Sequence, residues 1–277
     1  MARSILVPVG VGVVAGFFSG MTGVGGGAIL VSLMVNFMGL TQHRAHGTSL
    51  AVIISVSLAA AVSYALPFLL GYPAKFEYDP DLARQLIPTL AIASMFGVIL
   101  GAKIMAALPS RQQRRLFGVF LFFVAMSMFA RGIQVGNGPT DMNIWPFPAW
   151  VVLGFIAGVF SGILGIGGAL VMVPVMTIGA GIEQHMTQGI TLAVICITTL
   201  TGAYTHYRLG NVDLRATLAI APAAVICGFL AGQLAAQIDT IWLTRVFGAA
   251  MLYFSYQFTF TGAPQRKPAP TPAPQRS

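Results

Sequence analysis

Charge is what this chain has least of. Only 8% of its 277 residues are Asp, Glu, Lys or Arg, against about 25% in a typical soluble protein. With 56% hydrophobic residues and a mean hydropathy of +0.82, the shortage excludes a soluble globular domain. It equally excludes a disordered chain, which would be polar and charge-rich. Acidic groups are scarcest: Glu77, Asp79, Asp81, Asp141, Glu183, Asp213 and Asp239 all fall in or beside connections between apolar stretches. That placement excludes the acidic proton relay common inside membrane spans. Cysteine is nearly absent. Cys196 and Cys227 sit in apolar runs without CxxC spacing, so they read as small core hydrophobes, not as a disulfide or zinc framework. A nucleotide loop is missing too, since GVGGG at 23–27 lacks GxGxxG spacing, a preceding strand and a Walker lysine.

Glycine and long apolar runs are abundant instead. The 32 glycines follow no collagen period, and glycine is common in transmembrane helices. Eight apolar stretches run roughly 5–38, 48–72, 85–108, 116–135, 149–178, 189–207, 214–237 and 241–261. A span needs about 20 such residues, which six of the stretches match. The first and fifth are too long for one span, and each carries a glycine cluster near its middle: Gly23 to Gly27 in one, Gly165 to Gly168 in the other. Each interior glycine costs a helix about 1 kcal/mol, so both read as broken helices. The expected fold is therefore an all-α polytopic membrane protein. The formal charge of +8 comes from 15 basic residues lying mostly between the stretches, where they mark one membrane face. It is not read as a nucleic-acid footprint.

The two broken helices belong to an internal repeat. Shifted by 142, the sequence matches itself without a gap: 19 of the 42 positions from Gly12 to Ile53 are identical. Gly16, Ser19, Gly20, Gly23, Gly25 and Gly26 fall on Gly158, Ser161, Gly162, Gly165, Gly167 and Gly168. Gln42-His43 falls on Gln184-His185. A shift of 131 continues the match, pairing Gly97 with Gly228 and Gly101 with Gly232. The organisation expected is a first repeat at 1–135, a connection at 136–148, a second repeat at 149–261 and a disordered Pro-rich tail at 262–277. The opening Met1-Ala2-Arg3-Ser4 and its apolar run are not read as a signal peptide, because 147–180 repeats the same segment.

Repeats in transporters are either parallel or inverted. With Lys103 and the three basic residues of the tail set aside, the faces carry six and five basic residues if each broken helix crosses once and the halves are parallel. If each enters and leaves by one face, the halves are inverted and the faces carry seven and four. The positive-inside rule prefers inverted halves, with both termini and the Ser110–Arg115 loop cytoplasmic in a cell inner (plasma) membrane.

The duplicated pattern G-x-x-S-G-x-x-G-x-G-G, followed some sixteen residues on by Gln-His, resembles the TauE/SafE family of sulfite and organosulfonate exporters. The resemblance runs from about Val7 to Phe260. It implies a permease that exports sulfite, sulfoacetate or a related small sulfur-containing anion, with the lipid bilayer and that anion as partners, no cofactor and no enzymatic activity.

The residues allow that chemistry independently. A broken helix exposes backbone N–H donors and the positive end of a dipole at the start of its second half, and glycine lets an oxyanion approach closely. Candidate substrate-binding groups are therefore the backbone at Gly25, Gly26, Gly27, Gly167 and Gly168, with the hydroxyls of Ser19, Thr22 and Ser161. The competing reading is that these glycines only let helices pack, which is preferred for the GxxxG pairs Gly97/Gly101 and Gly228/Gly232. Gln42, His43, Gln184 and His185 are candidate anion or proton contacts, or else satisfy loop backbone groups. A metal site is disfavoured because only one histidine repeats: Gln188 stands where the first half has His46. Lys103 either snorkels or faces the pathway. A membrane-embedded enzyme would need convergent catalytic groups, and none stands out. A structural or assembly subunit leaves the matched polar positions without a role.

Overall fold

In the computed structural model the described residues are 2–23, 25–71, 79–107 and 146–260, with seven positions between 118 and 129. The Ser110–Arg115 loop, most of the 136–148 connection and the 262–277 tail lie outside them. The regular secondary structure among the described residues is all helical, as the sequence predicts. The first repeat contains α1 (Ala2–Thr22), α2 (Gly27–Phe37), α3 (Gln42–Leu70) and α4 (Pro80–Ala107). The second contains α5 (Phe147–Leu164), α6 (Ala169–Pro174, continued by a π-turn at Val175–Gly179), α7 (Gln184–Arg208), α8 (Leu214–Ala235) and α9 (Thr240–Thr259). Five of these, α3, α4, α5, α7 and α8, are long and apolar enough to cross a membrane. Large apolar side chains such as Leu58, Phe96, Leu200, Leu218 and Leu230 are exposed on the outside of the bundle, as lipid-facing positions would be.

The few carboxylates define where helices begin. Asp79 accepts from the N–H groups of Asp81 and Leu82, both at 3.0 Å. Glu183 accepts from Met186 at 3.1 Å and Asp213 from Ala216 at 3.0 Å. Each fills an orphan donor at a helix start and sits at the positive dipole end. Helices α3 and α7 start earlier than the apolar runs at 48 and 189 suggest. Their polar first turns are helical, so Gln42-His43 and Gln184-His185 are first-turn residues and not loop residues.

Glycine sets the packing. A Cβ on Gly12, Gly16 or Gly20 of α1 would lie 2.5, 2.2 or 2.3 Å from the carbonyl oxygens of Ile220, Ala224 or Gly228 of α8. In the other half, a Cβ on Gly154, Gly158 or Gly162 of α5 would lie 2.8, 2.2 or 2.3 Å from those of Leu90, Ser94 or Val98 of α4. Both ladders advance four residues against four, so each pair runs in the same direction. Each repeat's first helix is thus packed on the other repeat's fourth, with backbones too close for any side chain. Gly97 and Gly101 face Phe155 and Val159 oxygens at 2.2 Å in the same sense, and Gly228 and Gly232 close on Val56 and Ser63. Packing is the role of these four.

The two repeats are inverted. Leu50 packs at Gly202, Cys196 Sγ lies 3.7 Å from the Ile54 oxygen and Tyr64 bonds Gln188 at 2.7 Å. As numbers rise along α3 they fall along α7, so these equivalent helices are antiparallel. Helix α8 runs with α3, because Val56 meets Gly228 and Ser63 meets Gln233. Since α8 also runs with α1, α1 and α3 point the same way. The intervening α2 must then bring the chain back to the face from which α1 started. The first broken helix is re-entrant, and the same argument through Ser94–Thr198 and Val98–Gly202 makes the second one re-entrant.

Candidate functional site

Each break is a turn that only glycine can make. Gly23, Gly25 and Gly26 have φ of 68°, 75° and 66°, and Gly165, Gly167 and Gly168 have 66°, 85° and 87°. This is the left-handed region, where a side chain is strained. The turns reverse the chain tightly: a Cβ on Gly26 would meet the Ala15 oxygen at 2.6 Å, and one on Gly168 the Ala157 oxygen at 2.9 Å. The sequence therefore uses two glycine sets, one to close helix pairs and one to turn the breaks.

The two breaks meet at the centre of the molecule. A Cβ on Gly27 would lie 2.5 Å from Ile166 Cα and 2.8 Å from the Gly165 oxygen, across the repeat boundary. Gly25 faces Ile53 and Ile195 at 3.2 and 3.4 Å, and Gly167 faces Ile195 at 2.8 Å. Ile53 and Ile195 are equivalent residues and both are fully buried. They form an apolar plug against the break glycines, so the centre is closed in this conformation.

Helices α2 and α6 start at this centre. Their N-caps are Gly26 and Gly168, and neither receives a side-chain cap. The first-turn N–H groups there have no intrahelical partner. Ser19 stands beside the first of these starts, and Ser161 is its equivalent in the second repeat. Ser19 and Ser161 are fully buried, and neither hydroxyl has a hydrogen-bond partner. A Cβ on Gly26 would lie 3.3 Å from the Ser19 Cβ, which places that serine against the start of α2. Buried hydroxyls normally bond back to their own helix or to a neighbour. These two do not, and with the uncapped helix starts they make a concentrated set of free donors in an apolar interior.

The other candidates separate from this cluster. Thr22 is buried but its hydroxyl donates to the Phe18 oxygen at 2.6 Å. Gln184 is buried, accepts from Thr177 at 3.2 Å and keeps an unpartnered Nε2. His185 is buried between Glu183 Oε1, 2.7 Å from Nδ1, and the carbonyls of Ile238 and Ala235, 3.0 and 3.2 Å from Nε2. Its ring ties the start of α7 to the end of α8. His43 is exposed, and the Gln42 side chain lies outside the described residues. Lys103 is exposed on α4. No group of three metal-ligating side chains occurs among the described residues.

Sequence reasoning missed the groups that hold the breaks together. Gln188 of α7 donates through Nε2 to the Thr22 oxygen at 3.1 Å, closing the carbonyl end of α1. Tyr64 supports it, its hydroxyl lying 2.7 Å from Gln188 Oε1 and 3.1 Å from the Gly20 oxygen. In the other half His46 of α3 donates through Nδ1 to the Leu164 oxygen at 2.6 Å. Ser49 adds a bond to the Gly165 oxygen at 2.7 Å. Thr22 corresponds to Leu164 and Gln188 to His46. Each break is thus capped by the opposite repeat from the same position. The signal was present as that mismatched pair, whose members share a donor and not a residue type.

The architecture agrees with comparisons to known proteins. The family model described as "Sulfite exporter TauE/SafE" matches residues 2–134 and 150–277. The chain is 24% identical to "Probable membrane transporter protein YunE" of Bacillus subtilis (strain 168), over 94% of this chain and 98% of that protein. It is 26% identical to a "Probable membrane transporter protein" of Xylella fastidiosa (strain Temecula1 / ATCC 700964), over 90% and 93%. It is 31% identical to "Probable membrane transporter protein YdhB" of Bacillus subtilis (strain 168), over 38% and 42%. No solved structure matches the chain. Two inverted repeats, each opening with a re-entrant glycine-broken helix, and a family match across both repeats make this chain a multi-pass membrane transporter that belongs to the TauE/SafE sulfite exporter family.

Proposed function

We propose that this transporter is a permease for a small sulfur-containing oxyanion, such as sulfite, sulfoacetate or a related organosulfonate. It carries the anion outward across a cell inner (plasma) membrane, with both termini cytoplasmic. The observation that carries the reading is the pair of unpartnered buried hydroxyls, Ser19 and its equivalent Ser161, together with two uncapped helix starts that converge on the pseudo-twofold centre. A sulfonate or sulfite presents several acceptor oxygens, and the site offers donors from both sides with no opposing carboxylate. Helix starts favour the negative charge. The binding groups are the backbone N–H groups following Gly25, Gly26, Gly167 and Gly168, with Ser19 and Ser161.

Transport then requires the Ile53–Ile195 plug to part toward one face at a time, which inverted repeats allow by exchanging conformations. The membrane potential supplies outward drive, about 2.3 kcal/mol per negative charge at 100 mV. Flux into and out of proteoliposomes tests the reading, with sulfite, sulfoacetate, taurine and thiosulfate as solutes. Saturable flux of at least one anion is expected, and it should fall in a Ser19→Ala/Ser161→Ala variant. Transport of none of them, or of the zwitterion taurine alone, would overturn the anion reading.

A further inference from the structure

The two caps are equivalent in position but not in chemistry. Around α1 the pair is Gln188 and Tyr64, and neither side chain exchanges a proton near neutral pH. Around α5 the same two positions hold His46 and His206. Histidine is the side chain whose unperturbed titration falls in that range. His46 is buried, and its Nδ1 already donates to the Leu164 oxygen. His206 is 1% exposed, and neither of its ring nitrogens makes a formed hydrogen bond. His206 packs against the residue that follows His46, since a Cβ on Gly47 would lie 3.1 Å from the His206 Cβ. A buried imidazole without a well-formed hydrogen bond is costly.

We propose that His46 and His206 form the proton-binding site of this transporter, and that a proton held there strengthens anion binding at the adjoining break. The inference rests on the permease reading above. The ring of His46 is hydrogen-bonded to the last residue of α5, and the break that follows leads directly to the uncapped start of α6. A positive charge on the pair therefore faces the negative end of α5 and lies near a bound anion, and both relationships favour it. By linkage the effect is reciprocal: the anion raises proton occupancy by the factor that the proton raises anion affinity. Other charged or titratable groups near the pair are His43 on α3, Arg208 on α7 itself and Asp213 at the start of α8, whose N–H donates to Thr48 at 3.0 Å. The Gly162 carbonyl faces the His206 ring from α5, and α4 contributes Lys103 near its end, exposed. The one carboxylate among these, Asp213, is half-buried at the start of α8 and accepts from the Ala216 N–H, and the two imidazoles are the titratable side chains set against the end of α5. No third ligating side chain completes a metal set with them among the described residues.

The test compares wild type with His46→Gln/His206→Tyr, which installs in the second half the pair the first half already uses. Sulfoacetate is the probe, because both its acid groups stay ionised between about pH 5.5 and 8, the range in which histidine titrates. In proteoliposomes the wild-type apparent affinity should tighten about tenfold from the high to the low end, within the usual span of coupling factors. An imposed pH gradient should drive flux. In the double variant, affinity should no longer change with pH, and the gradient should drive nothing. A wild-type affinity independent of pH, or a double variant as pH-sensitive as wild type, overturns the inference while leaving the permease reading intact. Absence of sulfoacetate flux in wild type counts against that reading for this probe instead. The histidine pair is then judged by thermal unfolding in detergent. The unfolding midpoint of wild type should depend on pH over this range differently from that of the double variant or of His206→Tyr alone, and identical profiles overturn the inference.

Discussion

Replacing Ser19 and Ser161 with alanine separates a binding role from a packing role, because the two roles predict opposite signs of stability change. Both hydroxyls are fully buried and unpartnered in this conformation. Such a group has lost its water without gaining a protein partner, at a cost of about 1–3 kcal/mol. Alanine removes the hydroxyl and leaves only a small void. Each Ser→Ala change should therefore stabilise the anion-free protein, by about 1 kcal/mol at the low end of that range. For a chain of this size that corresponds to roughly 2–4 °C in the unfolding midpoint. The anion-bound state should respond the other way. A hydrogen bond to a charged group contributes about 1.5–3 kcal/mol, so losing one should weaken anion binding about 10- to 150-fold. Thermal unfolding in detergent, with and without a titrated anion, measures both effects on one sample. The variants should melt higher when empty and gain less from the anion. Variants that melt lower than wild type and keep its anion response would refute the reasoning and make both serines packing residues.

Three further outcomes follow from the same geometry. Gly158→Val should prevent accumulation of folded protein, since a Cβ there would lie 2.2 Å from the Ser94 oxygen, whereas Gly10→Ala, with nothing within 4 Å, should be tolerated; membrane yield and monodispersity in detergent report both. Ile195→Ala should shorten the plug at Gly25 and Gly167, lower stability by about 2–5 kcal/mol through the cavity it leaves and raise the anion leak in proteoliposomes. An unchanged leak would remove the isoleucines from the gate. Efflux of a permeant anion should accelerate as an imposed potassium diffusion potential becomes more inside-negative, by up to about 2.3 kcal/mol of drive per net charge at 100 mV, and should need no ATP. Flux indifferent to potential would require full compensation of the anion's charge by protons.

Much of this fold was legible because membranes impose simple constraints. A helix must bond its own backbone in lipid, so apolar length located the spans, and glycine clusters inside over-long runs located both breaks. The 142-residue shift aligned the halves correctly enough to equate Ile53 with Ile195 and Ser19 with Ser161. Helix starts were less legible. Gln42 and Gln184 belong to helices although hydropathy placed them in connections, because a first turn at the interface can be polar and still helical. The site was legible only in part. A repeated residue was given more weight than a repeated position. His185 repeats His43, yet His185 is held by Glu183 and two carbonyls while His43 is exposed. His46 and Gln188 differ in type, yet both close the opposite repeat's broken helix. Hydropathy cannot register such a role, since it depends on a donor reaching a carbonyl more than a hundred residues away. The glycines posed a related difficulty. The sequence reads Gly26 and Gly168 as places where an oxyanion can approach the backbone, but their positive φ and their closeness to Ala15 and Ala157 show that they also make the turn itself.

The interlocking of the halves explains why the motif occurs twice. A break in one helix leaves carbonyls at the end of its first half and N–H groups at the start of its second, and lipid can satisfy neither. The carbonyl ends are closed by the opposite repeat, Thr22 by Gln188 and Leu164 by His46. The first helices pack on the opposite repeat's fourth, along ladders with no room for a side chain. One repeat alone would expose both the ladder and the carbonyl end, so the broken helix becomes viable only as a pair. What the opposite repeat does not close is the N–H end. Those donors, at Gly26 and Gly168, are left facing the shared centre with Ser19 and Ser161. The same duplication that makes the breaks stable therefore also brings together two equivalent but oppositely directed helix starts, the arrangement on which the proposed anion site rests.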